Sequence, residues 1–215
     1  MTTSTCTIRY YVTRKIGSLQ EQVLAEARGV PVIDASWFAV TPFLQKYAAM
    51  KPTVHLMPLD GDIQQLMRPV GEEPYSTLLR YYRAQGIKTK IVSFNPEQIP
   101  ALMVYPRDAE FIIDTRRALD NDELPSALAG LVGDYMEKMP AQDDLNGTLY
   151  VNAACSLVQR LADVPGAQAG AQANREALLE VIYQVARLFA GRTLTPTDAA
   201  AAFGKAVKAM EGLLS

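Results

Sequence analysis

The sequence predicts a mixed α/β (α+β) fold: a small parallel βαβαβ domain, then a small sheet with helices that ends in a dimerising helix pair. Two observations predict it. In residues 8–57, short apolar runs alternate with segments whose apolar residues recur every three or four positions. In residues 174–215, two helical patterns follow each other directly. We therefore expect domains at residues 1–61 and 75–215, joined by a junction at 62–74.

Composition bounds the class of protein. The 215 residues are 49% hydrophobic and 20% charged, with a net charge of −2, which is typical of a globular chain with no excess of basic residues. We therefore expect no nucleic-acid partner. No apolar run is long enough to span a bilayer, no signal pattern opens the sequence, and two cysteines make no disulfide framework. These features predict a cytoplasmic protein without a membrane partner.

The first domain is predicted from three strand patterns separated by two helical ones. Ser18 is an N-cap for the first helix, and Gly29 ends it. The spacing of these elements implies right-handed crossovers and a parallel sheet. The expected strands are 8–13, 30–34 and 54–57, and the expected helices are 18–28 and 37–50.

The junction at 62–74 is rich in glycine, proline and acidic residues, as domain boundaries often are. It also holds Ile63, Leu66 and Met67, whose spacings of three and four place them on one face of a short helix. Two interpretations stay open: this face is exposed and contacts other proteins, or it packs on its own domain.

The second domain is predicted to be a small sheet surrounded by helices. Gly86 breaks the first of these helices, and residues 87–92 alternate as in a half-exposed strand. The expected strands are 88–94, 101–105 and 147–152. The expected helices are 75–85, 109–117, 124–139 and 155–162, followed by a linker at 165–173 that is rich in Ala, Gly and Gln.

The terminal helices carry the clearest start and stop signals. Asn174 is the expected N-cap of a helix over 175–190, with Gly191 as its stop, while Thr195 and Asp198 begin the second helix. Steps of four and three define one apolar row on each helix. The rows are Leu178, Ile182, Val185 and Phe189 on the first, and Ala199, Phe203, Ala206, Met210 and Leu213 on the second.

Further apolar residues widen both rows, so that the pair exposes more apolar surface than it covers by itself. These residues are Leu179, Val181, Leu188, Val207 and Leu214. We expect a second copy of the chain to cover the excess and form a homodimer. The alternative is a terminal hairpin that closes its own core.

The search for catalytic chemistry identifies no site. Asp34 ends the second strand, where nucleotide-binding folds place a ribose-binding acid, but the loop at 14–18 has one glycine instead of the three-glycine fingerprint. His55 is the only histidine and is expected to be structural, and two distant cysteines cannot complete a metal site. We expect no catalytic, cofactor-binding or metal-binding residues. The alternative function is a small-ligand or nucleotide-binding α/β enzyme domain with a helical appendage.

The order of elements resembles the C-terminal half of a bacterial 90-kDa heat-shock protein, a molecular chaperone. The best local match is residues 149–161, a strand that ends in Asn152 followed by a short helix near Leu157. That family often has a proline where this chain has Ser156. Other matching segments are residues 8–13 and 29–34 (the end of the middle domain), 87–94 and 100–105 (the first strands of the C-terminal domain), and 178–188 and 197–214 (its dimerisation helices).

The resemblance implies a role in protein folding and the stress response. Dimerisation would use Leu178, Ile182, Val185, Phe189, Phe203, Ala206, Met210 and Leu213. Unfolded or partly folded client proteins would contact Ile63, Leu66 and Met67. ATP and magnesium would bind only in an N-terminal domain of the parent, so that this chain holds no cofactor and is no enzyme. We expect the chain to be a piece of a longer protein and not a shortened paralogue.

Overall fold

A computed structural model of the chain describes residues 7–12, 19–29, 31–59, 63–106, 109–121, 145–163, 169–190 and 194–213, with isolated positions between 125 and 139. These residues form two small sheets and a set of helices, which confirms the mixed α/β prediction.

The first sheet is parallel and has the strand order β2-β1-β3. Its strands are β1 (Thr7–Val12), β2 (Val32–Asp34) and β3 (Val54–Pro58), and the helices between them are α1 (Leu19–Ala27) and α2 (Val40–Met50). Parallel neighbours need crossover connections, which these two helices provide. Gly29, with φ of +65°, follows α1 in the left-handed conformation expected of a helix stop. The predicted βαβαβ unit is confirmed.

The second sheet has the order β4-β5-β7-β6, and only the β5–β7 pair is parallel. Its strands are β4 (Arg68–Pro69), β5 (Thr89–Ser93), β6 (Ala101–Val104) and β7 (Thr148–Asn152). The accompanying helices are α3 (Ser76–Ala84), α4 (Ala109–Asp120), α5 (Ser156–Asp163), α6 (Ala169–Ala190) and α7 (Pro196–Glu211).

Both faces of the second sheet carry buried apolar residues. Along β6, Ala101 and Met103 enter one hydrophobic cluster with residues of α3, α5 and α6, whereas Leu102 enters another. Successive side chains of a strand point to opposite faces, so the two clusters lie on opposite sides of the sheet. The second cluster contains Val12 of β1 and Leu24 of α1, so the first βαβαβ unit packs on that side. The predicted half-exposed strand at 88–94 is therefore wrong in part, because Val92 is also buried in this cluster.

Of the two interpretations left open for Ile63, Leu66 and Met67, the exposed face is contradicted by the burial of these side chains. They lie in or next to a 3₁₀ turn (Ile63–Leu66) and are 1%, 2% and 7% exposed, respectively. All three belong to the second cluster, where they fill space between the two sheets. The core interpretation of this segment is the correct one. The domain boundary itself stays a prediction.

Two further expectations about local structure need correction. Helix α6 begins at Ala169, so Asn174 lies inside the helix instead of capping it, and the predicted linker is partly helical. Alanine and glutamine are good helix formers, which explains why this segment extends the helix. Gly191 and most of the helix predicted at 124–139 lie outside the described residues.

Candidate functional site

The start of α7 is fixed by a reciprocal capping interaction. The Asp198 N–H donates to Thr195 Oγ1 at 3.1 Å, and the Thr195 N–H donates to Asp198 Oδ2 at 3.2 Å. Pro196 occupies the first turn, where its missing N–H costs nothing. The Thr195 hydroxyl also donates to Asp198 Oδ2 at 2.6 Å, and this bond is the main reason that the pKa of Asp198 is lowered. The predicted beginning of this helix is confirmed.

Helix α6 carries two apolar rows. The inward row packs into the first hydrophobic cluster and consists of Leu179, Ile182, Ala186 and Ala190, all of which are buried. The outward row follows spacings of four and three, and consists of Val181, Val185 and Leu188. Val185 is 47% exposed, and the other two are half-buried. Such a spacing keeps a row on one helix face.

Helix α7 divides its apolar residues in the same way. Ala202 and Ala206 are buried and Ala199 and Ala209 half-buried, in a row that lets α7 pack closely against α6. Small residues permit this close approach because their side chains add little between the two backbones. The outward row is Phe203, Val207 and Met210, with Phe203 62% and Met210 44% exposed.

The eight residues predicted for dimerisation are therefore divided between the interior and the surface. Ile182 and Ala206 are buried within the chain and cannot contact a second copy in this conformation. Leu178 is half-buried against the first hydrophobic cluster and Phe189 against the second. Leu213 is also half-buried. The exposed members are Val185, Phe203 and Met210. We call these three residues, with Val181, Leu188 and Val207, the outer face of the terminal hairpin.

A second exposed apolar surface surrounds α2, and sequence reasoning assigned it no function. Its members are Trp37 (65% exposed), Phe38 (82%), Phe43 (66%), Tyr47 (42%) and Met50 (71%), which we call the aromatic patch. Only one residue of α2, Leu44, is buried. The chain is 8% aromatic, so four aromatic residues within 37–47 were a signal that could have drawn attention to this helix.

The aromatic patch is partly ordered by contacts among its own rings. The Trp37 and Phe38 rings meet edge-to-face with centroids 5.0 Å apart, and those of Phe43 and Tyr47 stack at 6.4 Å. Such pairs stabilise the ring positions beyond simple area burial. Exposed aromatic side chains in this density are typical of surfaces that bind other proteins.

A polar cavity of about 430 Å³ lies beside the terminal hairpin. Lys88, Arg117, Arg187 and Asp198 line it together with Tyr183. The Arg187 guanidinium lies 5.6 Å from the centre of the Tyr183 ring. Burial raises the pKa of Tyr183, and the positive charge of Arg187 opposes that rise. This is the place that the alternative, a small-ligand site, would use.

The remaining sequence candidates are not drawn into a site. Asp34 is exposed and accepts a hydrogen bond from the Ser36 N–H at 3.0 Å, and His55 is exposed on β3. The loop at 14–18 falls outside the described ranges. Within those ranges, no three His, Cys, Asp or Glu side chains come close enough together to hold a metal ion. Nor does any helix there have the length and apolarity needed to cross a membrane.

No family model matches the chain, and a search of curated proteins finds no significant relative.

Proposed function

We propose that the chain is the dimerisation and client-contact region of an ATP-dependent heat-shock molecular chaperone of the 90-kDa family. The observation that carries the proposal is the outer face of the terminal hairpin. Its Phe203, Val185 and Met210 leave about half or more of their side-chain surface exposed. The resemblance of α6 and α7 to the dimerisation helices of that family supports a second copy of this chain as the occupant of the face.

A two-fold dimer fits the distribution of these residues. Each helix contributes one apolar row, so the outer face of one hairpin can pack against the outer face of another in a four-helix arrangement. A stable interface of this kind buries on the order of 2,000 Å² or more. The Val181, Leu188 and Val207 side chains, half-buried in one chain, would add to that area.

Replacing Phe203 by aspartate tests the dimer. Phe203 is largely exposed, so Phe203→Asp should leave the fold of one chain intact while it weakens dimerisation by about 100-fold or more, because the dimer must desolvate the new carboxylate. Lys205 is exposed on a different side of α7, which makes Lys205→Asp the matched control. Sedimentation equilibrium measures both dissociation constants, and equal effects of the two variants would contradict the proposed interface.

Removing residues 193–215 tests the same interface more coarsely. Without α7, the truncated chain should be monomeric and prone to aggregation, because α6 loses the helix that packs against it. A truncated chain that still sediments as a dimer would place the interface elsewhere.

The aromatic patch is our proposed client-contact surface, in place of the buried Ile63, Leu66 and Met67. Unfolded proteins expose apolar side chains, and large exposed rings bind such segments with little loss of conformational entropy. Trp37 and Phe38 are the best candidates because they are adjacent in the sequence and 65% and 82% exposed, Phe38 being the most exposed residue of the patch.

Aggregation assays with the complete chain test this surface. The double variant Trp37→Ser, Phe38→Ser should suppress the aggregation of a denatured model protein less than the native chain does. Its melting temperature should change little, because exposed positions tolerate substitution within about 0.5 kcal/mol. Phe111→Ser, at another exposed phenylalanine on α4, is the control. Equal loss in both variants would mean that the patch has no special role.

An assay of ATP hydrolysis distinguishes our proposal from the alternative function, a small-ligand or nucleotide-binding enzyme domain. Our proposal predicts that the chain forms dimers and does not hydrolyse ATP in the presence of magnesium. Hydrolysis that is abolished by Arg187→Met, in the polar cavity, would favour the enzyme instead.

A further inference from the structure

Arg175 of α6 is buried to a degree that is rare for arginine. Arg175 is 4% exposed, and its Nε and Nη2 atoms have no hydrogen-bond partner. Arginine is almost never fully buried without a partner, because losing water around a charged donor destabilises the folded chain. The missing partner is therefore an observation that needs a physical explanation.

The two unpartnered nitrogens share one edge of the guanidinium group. The Nε–H and one Nη2–H bond on this edge point in nearly the same direction. They form the fork with which arginine donates two parallel hydrogen bonds to a carboxylate or a phosphate. The unsatisfied part of Arg175 is thus the part that is shaped for an oxyanion.

A cavity of about 330 Å³ adjoins Arg175 between α3 and α6. Arg80 of α3 also lines it. Burial and then the nearby Arg80 charge lower the pKa of Arg175, and the Glu176 charge opposes that fall. The cavity's one carboxylate, Glu176, already accepts a hydrogen bond from Gln172 at 2.6 Å. Two arginines and one carboxylate therefore line the cavity, which leaves a net positive charge that an anion would balance.

We propose that this cavity binds a small oxyanion, of the phosphate or carboxylate class, between Arg80 and the fork of Arg175. The volume lies at the lower end of small-ligand pockets, so it suits inorganic phosphate or a small organic acid and excludes a protein segment. The Thr77 hydroxyl and the Gln85 amide, which also line the cavity, are neutral groups able to hydrogen-bond the ligand's remaining oxygens. The Arg175 fork lies below the cavity surface, so a small side-chain shift accompanies binding. This site is independent of the proposed dimerisation.

Thermal unfolding of the complete chain tests the site, with inorganic phosphate, succinate and potassium chloride at matched ionic strength. The native chain should gain melting temperature with phosphate or succinate, in a response that saturates. Phosphate also stabilises folded proteins by exclusion from their surface. Because that effect is common to all variants, the difference between variants is what measures binding at the cavity. Arg175→Met and Arg80→Met should each raise the half-saturating anion concentration about tenfold or more. That change is the equivalent of one lost charge-assisted contact.

Arg83→Met is the matched control. Arg83 is an exposed arginine on α3, the helix that also carries Arg80. It pairs with Glu72 at 2.8 Å and does not line this cavity. It should keep the native response. In the absence of added anion, Arg175→Met should melt at or above the native temperature, because the substitution removes an unsatisfied buried charge.

The outcomes separate cleanly. Whichever of phosphate or succinate saturates at the lower concentration identifies the ligand class. A response equal to that of chloride, or the same response in Arg175→Met as in Arg83→Met, would overturn the site. An Arg175→Met chain that melts below the native chain without added anion, or fails to fold, would also overturn it, because Arg175 would then have a protein partner.

Discussion

Asn152 joins the end of β7 to the segment between β5 and β6. Its Oδ1 accepts hydrogen bonds from the Phe94 N–H at 3.2 Å and the Ala154 N–H at 3.1 Å. Its Nδ2 donates to the carbonyls of Phe94 and Ile99, both at 3.0 Å. The residue is 0% exposed, so these bonds satisfy backbone groups that water cannot reach. This explains why an asparagine ends this strand.

Replacing Asn152 by aspartate should lower the free energy of unfolding by roughly 3 kcal/mol or more near neutral pH. The variant places a buried carboxylate against two carbonyl oxygens and removes their donor. Chemical denaturation measures the change. Asn146→Asp, at an exposed asparagine, is the control and should change stability by less than about 0.5 kcal/mol. Similar losses in both variants would contradict the role of Asn152.

Asp198 predicts a dependence on pH at the start of α7. Its pKa is lowered from 3.8, first by the hydrogen bond from the Thr195 side chain and then by the Thr195 N–H. A carboxyl group whose pKa is lower in the folded chain stabilises it above the unfolded pKa, and that stabilisation is lost as pH falls through the folded pKa. The difference in melting temperature between the native chain and Asp198→Ala should therefore shrink below about pH 4. A difference that stays constant between pH 7 and pH 2.5 would contradict this account.

At the scale of elements, the turn at 63–66 is buried and the helix α2 is largely exposed. The turn is short and flanked by glycine and proline, yet its apolar residues lie in the core. Helix α2 has the larger apolar side chains, yet it buries only Leu44. Apolar content alone therefore does not locate a contact surface, because the packing of neighbouring elements decides which side chains are covered.

Leu66→Ala should cost about 2–5 kcal/mol of unfolding free energy, as large-to-small changes in a core usually do. Met50→Ala, on the exposed part of α2, removes a comparable volume and should change stability by less than about 0.5 kcal/mol. Thermal or chemical denaturation compares them. A Leu66→Ala chain as stable as the native one would mean that the turn is not part of the core.

At the scale of the whole molecule, the first βαβαβ unit covers one face of the second sheet. Val12 and Leu24 meet Leu102 and Tyr150 in a single cluster across the predicted domain boundary. An apolar interface of this kind couples the folding of the two parts, because neither part can unfold without exposing apolar side chains of the other to water.

Leu24→Ala should therefore destabilise both sheets together, by about 2–5 kcal/mol. Native-state hydrogen exchange measures this at the amides of β1 and β7, which should lose protection by the same free energy. Phe43→Ala, at an exposed residue of the same unit, is the control. Unchanged protection of β7 in Leu24→Ala would show that the two parts unfold independently.

Local patterns in the sequence were enough to predict the types and order of most elements, the parallel arrangement of the first sheet and the capped start of α7. These features depend on local periodicity, on turn residues and on side chains such as Thr195 and Asp198 that bond to their own neighbours. Only the tertiary structure decided which apolar rows of α6 and α7 point inward. Adjacent rows on one helix have the same spacing, and the choice between Ala206 and Phe203 depends on how closely two helices approach. For the same reason, the burial of Ile63, Leu66 and Met67 and the missing partner of Arg175 follow from the packing of distant segments, which no local pattern encodes.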